Sequence, residues 1–242
     1  MSAHGRSKAK DETKAVAAVG QMALDWPPPA PRFSRAQFLL GVSNVAALRM
    51  LDDWARTGDQ LLAVCGPASA GKTHLARIAA EHIGAQMISA KTLGSQTAGA
   101  PKSSLVIDDL EHCGAPLDLL ALIEGVSLGG GRLVLVGRGA PIEWARGFKD
   151  LETRLNAATR IALVEPDEAL LKAVMAKLFS DRQLRAADDV IEYAAARLPK
   201  TFAAAEAFVA GMDAASLEAG TGIGRALARE VVANLSEAPA DA

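Results

Sequence analysis

Leu61-Leu62-Ala63-Val64-Cys65-Gly66-Pro67-Ala68-Ser69-Ala70-Gly71-Lys72-Thr73 is the stretch that decides the fold. An apolar run of strand character leads into the pattern G-x-x-x-x-G-K-[ST], and a helical pattern begins near Lys72, the context a phosphate-binding loop requires. The small residues of the loop let the chain curl so that backbone N–H groups converge. The helix that follows adds its own unpaired N–H groups and the positive end of its dipole. Lys72 is thereby placed to reach β- and γ-phosphates, and the Thr73 hydroxyl to take a position on Mg²⁺. Gly66 through Thr73, with His74 behind them, are the candidate phosphate contacts. A glycine-containing turn before a helix is the plain alternative, but the full pattern with both flanks is far more demanding than a glycine pair.

Outward along the chain, Met87-Ile88-Ser89 reads as a short strand, and residues 91–102 read as a loop with a weak helical turn. Leu105-Val106-Ile107-Asp108-Asp109 then follows. A continuous apolar run of this kind is a buried parallel strand, and its carboxyl end is where such sheets bind ligands. Asp108 is the candidate for Mg²⁺ and Asp109 for orienting an attacking water; capping the next helix is the alternative for both. Residues 116–128 read as a helix, Gly129-Gly130-Gly131 as its break, and 132–136 as another strand. Gly137-Arg138-Gly139 makes a tight turn at the same sheet edge, so Arg138 is either a phosphate contact or a solvent-facing arginine. Arg154 lies in Asp150-Leu151-Glu152-Thr153-Arg154, ahead of a short strand read at 161–164. A guanidinium at a subunit edge can neutralise charge on a neighbour's γ-phosphate, and it can equally be a surface ion pair.

Amino-terminal to the loop strand, Asn44, Ala47, Leu48, Leu51 and Trp54 recur at helical spacing. The short apolar segment Phe38-Leu39-Leu40-Gly41 before them either closes over an adenine ring or packs within the domain. Residues 1–31 read as a flexible tail ending in a stiff spacer, Pro27-Pro28-Pro29 with Pro31. Within the tail, Gln21-Met22-Ala23-Leu24-Asp25-Trp26 carries large apolar groups without a core of its own. It reads as a docking peptide for another protein or as an arm that folds back on its own domain. Pro166 marks a boundary. Beyond it only helical signals occur, at 167–179, 188–197, 201–216 and 222–235, in a part of lid size that ends in a frayed tail at 237–242.

The bulk properties narrow the function. The chain has 242 residues, half of them hydrophobic, and a formal charge of −2. That length holds one sizeable core or two modest ones, and the charge offers no general attraction to nucleic acid. One tyrosine and six phenylalanines leave little for a base-stacking platform. Cys65 and Cys113, with no signal peptide ahead of them, fit a reduced cytoplasmic chain. No stretch is long and apolar enough to span a membrane.

Taken together, the loop at 66–73, the Leu-Val-Ile-Asp-Asp run ending at 109, the sheet-edge loop at 137–141 and Asp150-Leu-Glu-Thr-Arg-Leu155 resemble the AAA+ ATPase module of the DnaA family of replication initiators. The likeness covers about residues 33–235. It is nearest to the short, Hda-like regulators of that family, because the chain ends after the lid and Gln21-Met-Ala-Leu-Asp-Trp26 looks like their peptide for the sliding clamp of the replicative polymerase. The resemblance implies an α/β nucleotide-binding domain at 32–165 with a parallel sheet, followed by a helical lid at 166–236. It implies ATP or ADP with Mg²⁺ as ligand and DnaA and the clamp β subunit as partners. It also implies replisome-associated cytoplasmic localisation, self-association through AAA+ edges, and no strong sequence-specific DNA binding. By residue, Gln21, Met22, Leu24 and Trp26 would anchor in the clamp. Phe38, Leu39, Gly41 and Asn44 would surround the adenine, Lys72, Thr73 and Asp108 would hold phosphates and metal, and Asp109 would take the second acidic place. Arg154 matches the family's arginine finger, offered to ATP held by the initiator. Two positions depart from the pattern: Arg138 stands where a polar or acidic sensor is usual, and Ala203 where the lid usually supplies an arginine. Lys200, one turn earlier, is the candidate substitute. A nucleotide-gated scaffold and a self-sufficient ATPase motor are the alternatives, and the two departures count against the motor.

Overall fold

The three central strands form because their residues are buried on both faces, and the resulting sheet decides where every candidate residue lies. The structure is a computed structural model that describes residues 33–93 and 103–237. Five strands, β1 (Leu61–Cys65), β2 (Gln86–Ser89), β3 (Leu105–Asp108), β4 (Leu133–Gly137) and β5 (Thr159–Ala162), make one sheet in the order β2-β3-β4-β1-β5. Every pairing is parallel. Alternate residues of the central strands enter opposite layers. Ala63, Cys65, Leu105, Ile107, Leu133 and Leu135 pack beneath α3 (Pro116–Leu128) and α4 (Lys149–Asn156). Leu62, Val64, Val106, Val134 and Val136 pack beneath α1 (Val45–Arg56) and α2 (Lys72–Ile83). Coverage on both sides is why these strands read as unbroken apolar runs.

Local chemistry sets the element ends. Ala47, Leu48, Leu51 and Trp54 form the buried stripe of α1, as their spacing predicts. Arg132 closes the end of that helix: its guanidinium lies 3.7 Å from the Trp54 ring and donates to the carbonyls of Trp54, Ala55 and Asp59. The amino end of α2 is left-handed Gly71 and its carboxyl end left-handed Gly84, the conformation glycine adopts without a Cβ penalty. One strand departs from the sequence reading. β5 begins at Thr159, two residues before the apolar run, because it is an edge strand whose Thr159 and Arg160 pair with β1 while facing solvent or neighbouring polar groups. An apolar-run criterion misses polar residues of that kind. The loop read at 91–102 starts with a short 3₁₀ turn, Ala90–Thr92; residues 94–102 lie outside the described residues.

After the sheet come α5 (Glu168–Asp181), α6 (Asp188–Ala195), α7 (Phe202–Ala219) and α8 (Arg225–Glu237). They share their own core around Met175, Phe179, Phe208, Val209 and Met212, with Phe179 and Phe208 edge to face at 6.1 Å. α7 runs three residues beyond its predicted end, to the left-handed cap Gly220. No helix among the described residues is long and apolar enough to cross a membrane.

Candidate functional site

Two glycines let the loop at 66–71 take its shape. Gly66 has φ +149° and its backbone lies so close to the Leu163 carbonyl that a Cβ would collide with it. Gly71 has φ +90°, and a Cβ there would lie 3.2 Å from the Phe202 ring. Ser69 is left-handed as well, at φ +52°. Its carbonyl accepts from the backbone N–H of Phe202 at 3.2 Å, so the amino end of α7 rests on the loop.

Lys72, the first residue of α2, is 9% exposed and its Nζ donates to the Pro67 carbonyl at 2.6 Å. Burial lowers its pKa, and the carboxylate of Glu111 is the strongest charge opposing that shift. A buried ammonium whose acceptor is a neutral carbonyl inside a curled loop suits an anion. Thr73 Oγ1 donates to Asp108 Oδ2 at 2.8 Å, joining the loop to the end of β3. Asp108 also accepts from the Asp109 N–H at 2.8 Å. Burial raises its pKa in spite of these two donors. Asp109 sits in the left-handed region at φ +62° and makes no capping bond to the turn that follows. Its carboxylate instead accepts from Ser89 Oγ at 3.2 Å, toward β2. Thr73, Ser89, Asp108 and Asp109 line one end of a cavity of about 1030 Å³ that runs along α2.

The segment read as surrounding an adenine is fixed by its own polar groups. Asn44 is buried; its Oδ1 accepts from the Gly41 N–H at 2.8 Å and its Nδ2 donates to the Leu39 carbonyl at 2.9 Å. Asp167, which caps α5 through the Leu170 N–H, also accepts from the Ser43 N–H at 3.0 Å. The segment is thereby tied to the start of the helical region. Phe38 is half-buried, with its ring edge-on to His74 at 4.9 Å.

Two residues predicted to contact the nucleotide, His74 and Lys200, are not brought to the loop. The imidazole of His74 turns to the 33–38 segment, between Phe33 and Phe38, with Nε2 3.0 Å from the Ser34 carbonyl. Lys200 is engaged by Glu168 Oε2 at 3.2 Å and the Ala195 carbonyl at 3.0 Å, because those acceptors lie within its own helical region. Arg154 lies at the opposite, amino-terminal edge of the sheet. It lines a concavity of about 610 Å³ with Gln60, Leu61, Leu133 and Thr159, and Nη2 is 3.5 Å from Glu124 Oε1. Gln21, Met22, Leu24 and Trp26 lie outside the described residues. Sequence reasoning missed Glu111, Asp167 and Phe202. The position of Asp167 directly after Pro166 and before an apolar run was a readable helix-cap signal; Phe202 carried none. Among the described residues no cluster of three or more His, Cys, Asp or Glu is arranged to hold a metal.

The parallel five-stranded sheet, flanking helices and following helical region make the fold of an AAA+ P-loop NTPase. It is similar to domain III of the replication initiation protein DnaA from Thermotoga maritima, with TM-score 0.74 and 15% identity over 86% of this chain and 98% of that domain. It is similar to the RuvB Holliday junction branch migration motor of the same organism, with TM-score 0.66 and 19% identity over 84% of this chain and 72% of that one. AMPPCP-bound DnaA from Aquifex aeolicus gives TM-score 0.63 and 16% identity over 78% and 67%. At such identities the likeness is one of fold. No protein-family model matches the sequence, and no curated protein does.

Proposed function

We propose that this chain is a nucleotide-binding AAA+ regulator that docks on the DNA polymerase sliding clamp and stimulates ATP hydrolysis by a DnaA-type initiator, supplying Arg154 across the interface. The observation that carries this reading is the placement of Arg154. It lies at the end of the sheet away from its own phosphate loop, half-exposed, with half-exposed Glu124 as its ion-pair partner. From there it cannot serve a nucleotide in its own loop, whereas an edge arginine of this kind can be offered to a nucleotide held by a neighbour.

The loop fits a nucleotide polyphosphate. Lys72 and the backbone of residues 66–71 would hold the phosphates, and the Thr73 hydroxyl with Asp108 would hold Mg²⁺. Mg²⁺ held there would supply charge neutralisation to the phosphates. This chain's own residues would orient that assembly, and the amino end of α7 rests on the loop through the Phe202 N–H. Ala203, exposed at the start of α7, offers the phosphates no cation, and Lys200 rests on Glu168 and the Ala195 carbonyl. That supports a regulator over a motor. Clamp docking through Gln21, Leu24 and Trp26 rests on the peptide's sequence.

A reconstituted assay tests the proposal: ATP turnover by purified DnaA with DNA-loaded clamp and this protein. Wild type accelerates turnover and Arg154→Ala does not, although both bind the clamp. Equal stimulation by the two overturns the finger. Stimulation by neither, with clamp binding intact, leaves a scaffold. Gln21→Ala combined with Leu24→Ala weakens clamp binding, and an unaltered dissociation constant overturns the docking role.

A further inference from the structure

We infer that the helical region braces the phosphate loop. The backbone N–H of Phe202 holds Ser69 in the left-handed conformation that curls the loop, and the Asp167–Ser43 pair keeps the helical region seated so that it can do so. Resting on the nucleotide-binding reading above, this makes Phe202, Asp167 and Ser43 positioning residues for that site.

The loop is fixed unevenly. One end continues β1 at Gly66, against the Leu163 carbonyl, and the other is Gly71 at the start of α2, whose carbonyl accepts from the Leu75 N–H at 3.0 Å. Between them Ser69 is exposed and stands at φ +52°. A residue with a Cβ enters that region at a cost that glycine does not bear. The Phe202 N–H meets the Ser69 carbonyl at 3.2 Å. It is available because the first N–H groups of a helix have no acceptor within the helix. Thr201 caps that turn through the Ala204 N–H at 3.2 Å, which leaves the Phe202 donor for the loop.

A brace needs a fixed seat. Asp167 and Ser43 exchange two bonds: the Ser43 N–H donates to Asp167 Oδ2 at 3.0 Å, and the Asp167 N–H donates to Ser43 Oγ at 3.2 Å. The approach is close, since a Cβ on Gly41 would lie 2.8 Å from Asp167 Oδ2 and from Leu170 Cβ. Asp167 Oδ1 meanwhile caps α5 through the Leu170 N–H at 2.9 Å, so each oxygen serves one side of the joint. From there to Phe202 the connection is short. Glu168, the next residue, accepts at 3.2 Å from Lys200 Nζ, two positions before Phe202. Deeper in, α5 and α7 share the Phe179–Phe208 contact. The amino ends of the two helices thus form one body that touches the sheet domain at Ser43 and the loop at Ser69.

Titration of the full chain with ATP and with inorganic triphosphate, each with Mg²⁺, tests the brace; the second ligand reads the loop without a base. Phe202→Pro removes the N–H, and proline is tolerated at the first helical position behind an extended residue such as Thr201, at φ −132° and ψ 149°. Phe202→Ala loses the ring but keeps the N–H. The proline variant binds both ligands about three- to tenfold more weakly than the alanine variant, the scale of one hydrogen bond. On a Ser69→Gly background that difference falls below about twofold, because glycine adopts the left-handed conformation unaided. Asp167→Asn, which retains a capping oxygen, combined with Ser43→Ala reads the same brace without a proline. It weakens both ligands about two- to threefold and adds nothing to Phe202→Pro.

Equal binding by the proline and alanine variants overturns the brace. A difference of full size on Ser69→Gly overturns Ser69 as the residue held. Weakening confined to ATP in the Asp167→Asn, Ser43→Ala variant overturns the seat, since only the base end would then sense it. If wild type binds neither ligand and is indistinguishable from Lys72→Ala, the nucleotide reading itself fails and the brace falls with it; binding by wild type locates any failure in the brace alone.

Discussion

At the carboxyl ends of the strands, Lys72, Thr73, Asp108 and Asp109 are buried or half-buried, and each finds a polar partner inside the chain. At the amino ends, Arg154 and Glu124 are both half-exposed and meet at 3.5 Å beside a concavity. One sheet thus carries a site assembled by folding and, about 15 Å away by strand length, a cation paired, among the described residues, only with a half-exposed carboxylate. Exposed pairs contribute roughly 0–1 kcal/mol, so little holds Arg154 back from a stronger anion.

The largest effect that sharpens this contrast is loss of the proposed finger. Arg154→Ala lowers stimulated DnaA turnover by about 10³-fold, while the chain's own nucleotide affinity and unfolding midpoint stay unchanged. A parallel fall in its own affinity, read by titration, would break the separation of the two ends. Next is Lys72→Ala, which weakens nucleotide binding roughly 10–100-fold, the scale of a lost hydrogen bond to a charged group. Calorimetry reads it. Gly66→Val comes third. It forces a β-branched residue to φ +149° against the Leu163 carbonyl, and costs at least about 1–3 kcal/mol of stability, seen as a lower urea midpoint with unchanged slope.

The smallest effect concerns the joint between sheet and helical region. Asp167→Ala removes the cap of α5 and the link to Ser43, costing about 0.5–2 kcal/mol. The N–H donors of Leu170 and Ser43 hold the Asp167 carboxyl below its ordinary value of 3.8. Because its pKa is lower in the folded chain than in the unfolded one, its stabilisation is complete above that value and disappears as pH falls through the folded pKa. The gap between the wild-type and Asp167→Ala melting curves therefore narrows as pH falls through the folded pKa; a gap of constant size all the way through the acid range would place the effect in packing.

Much of the fold was legible because its signals are local. β1, β3 and β4 are continuous apolar runs, the loop pattern sits between a strand and a helix, and the α1 stripe follows helical spacing. β5 was read two residues late because an edge strand spends polar residues on its open side. The candidate site was legible only in part. Lys72, Thr73 and Asp108 meet as the strand–loop–helix context requires, but His74 and Lys200 were placed at the loop by proximity in sequence and by analogy. In the folded chain aromatic neighbours take the first and Glu168 the second.

By itself the amino-acid sequence determined the strand and helix pattern, the phosphate-loop signature and the acidic end of β3, since each depends on neighbours a few residues apart. Only the tertiary structure decided that Glu111 takes Arg138, that Ser43 meets Asp167, and that α7 rests on Ser69. The first two pairs are separated by 27 and 124 residues. Hydrogen bonds of this kind are chosen by which donors the packed layers bring within about 3 Å of an acceptor, and no periodicity along the chain records that choice.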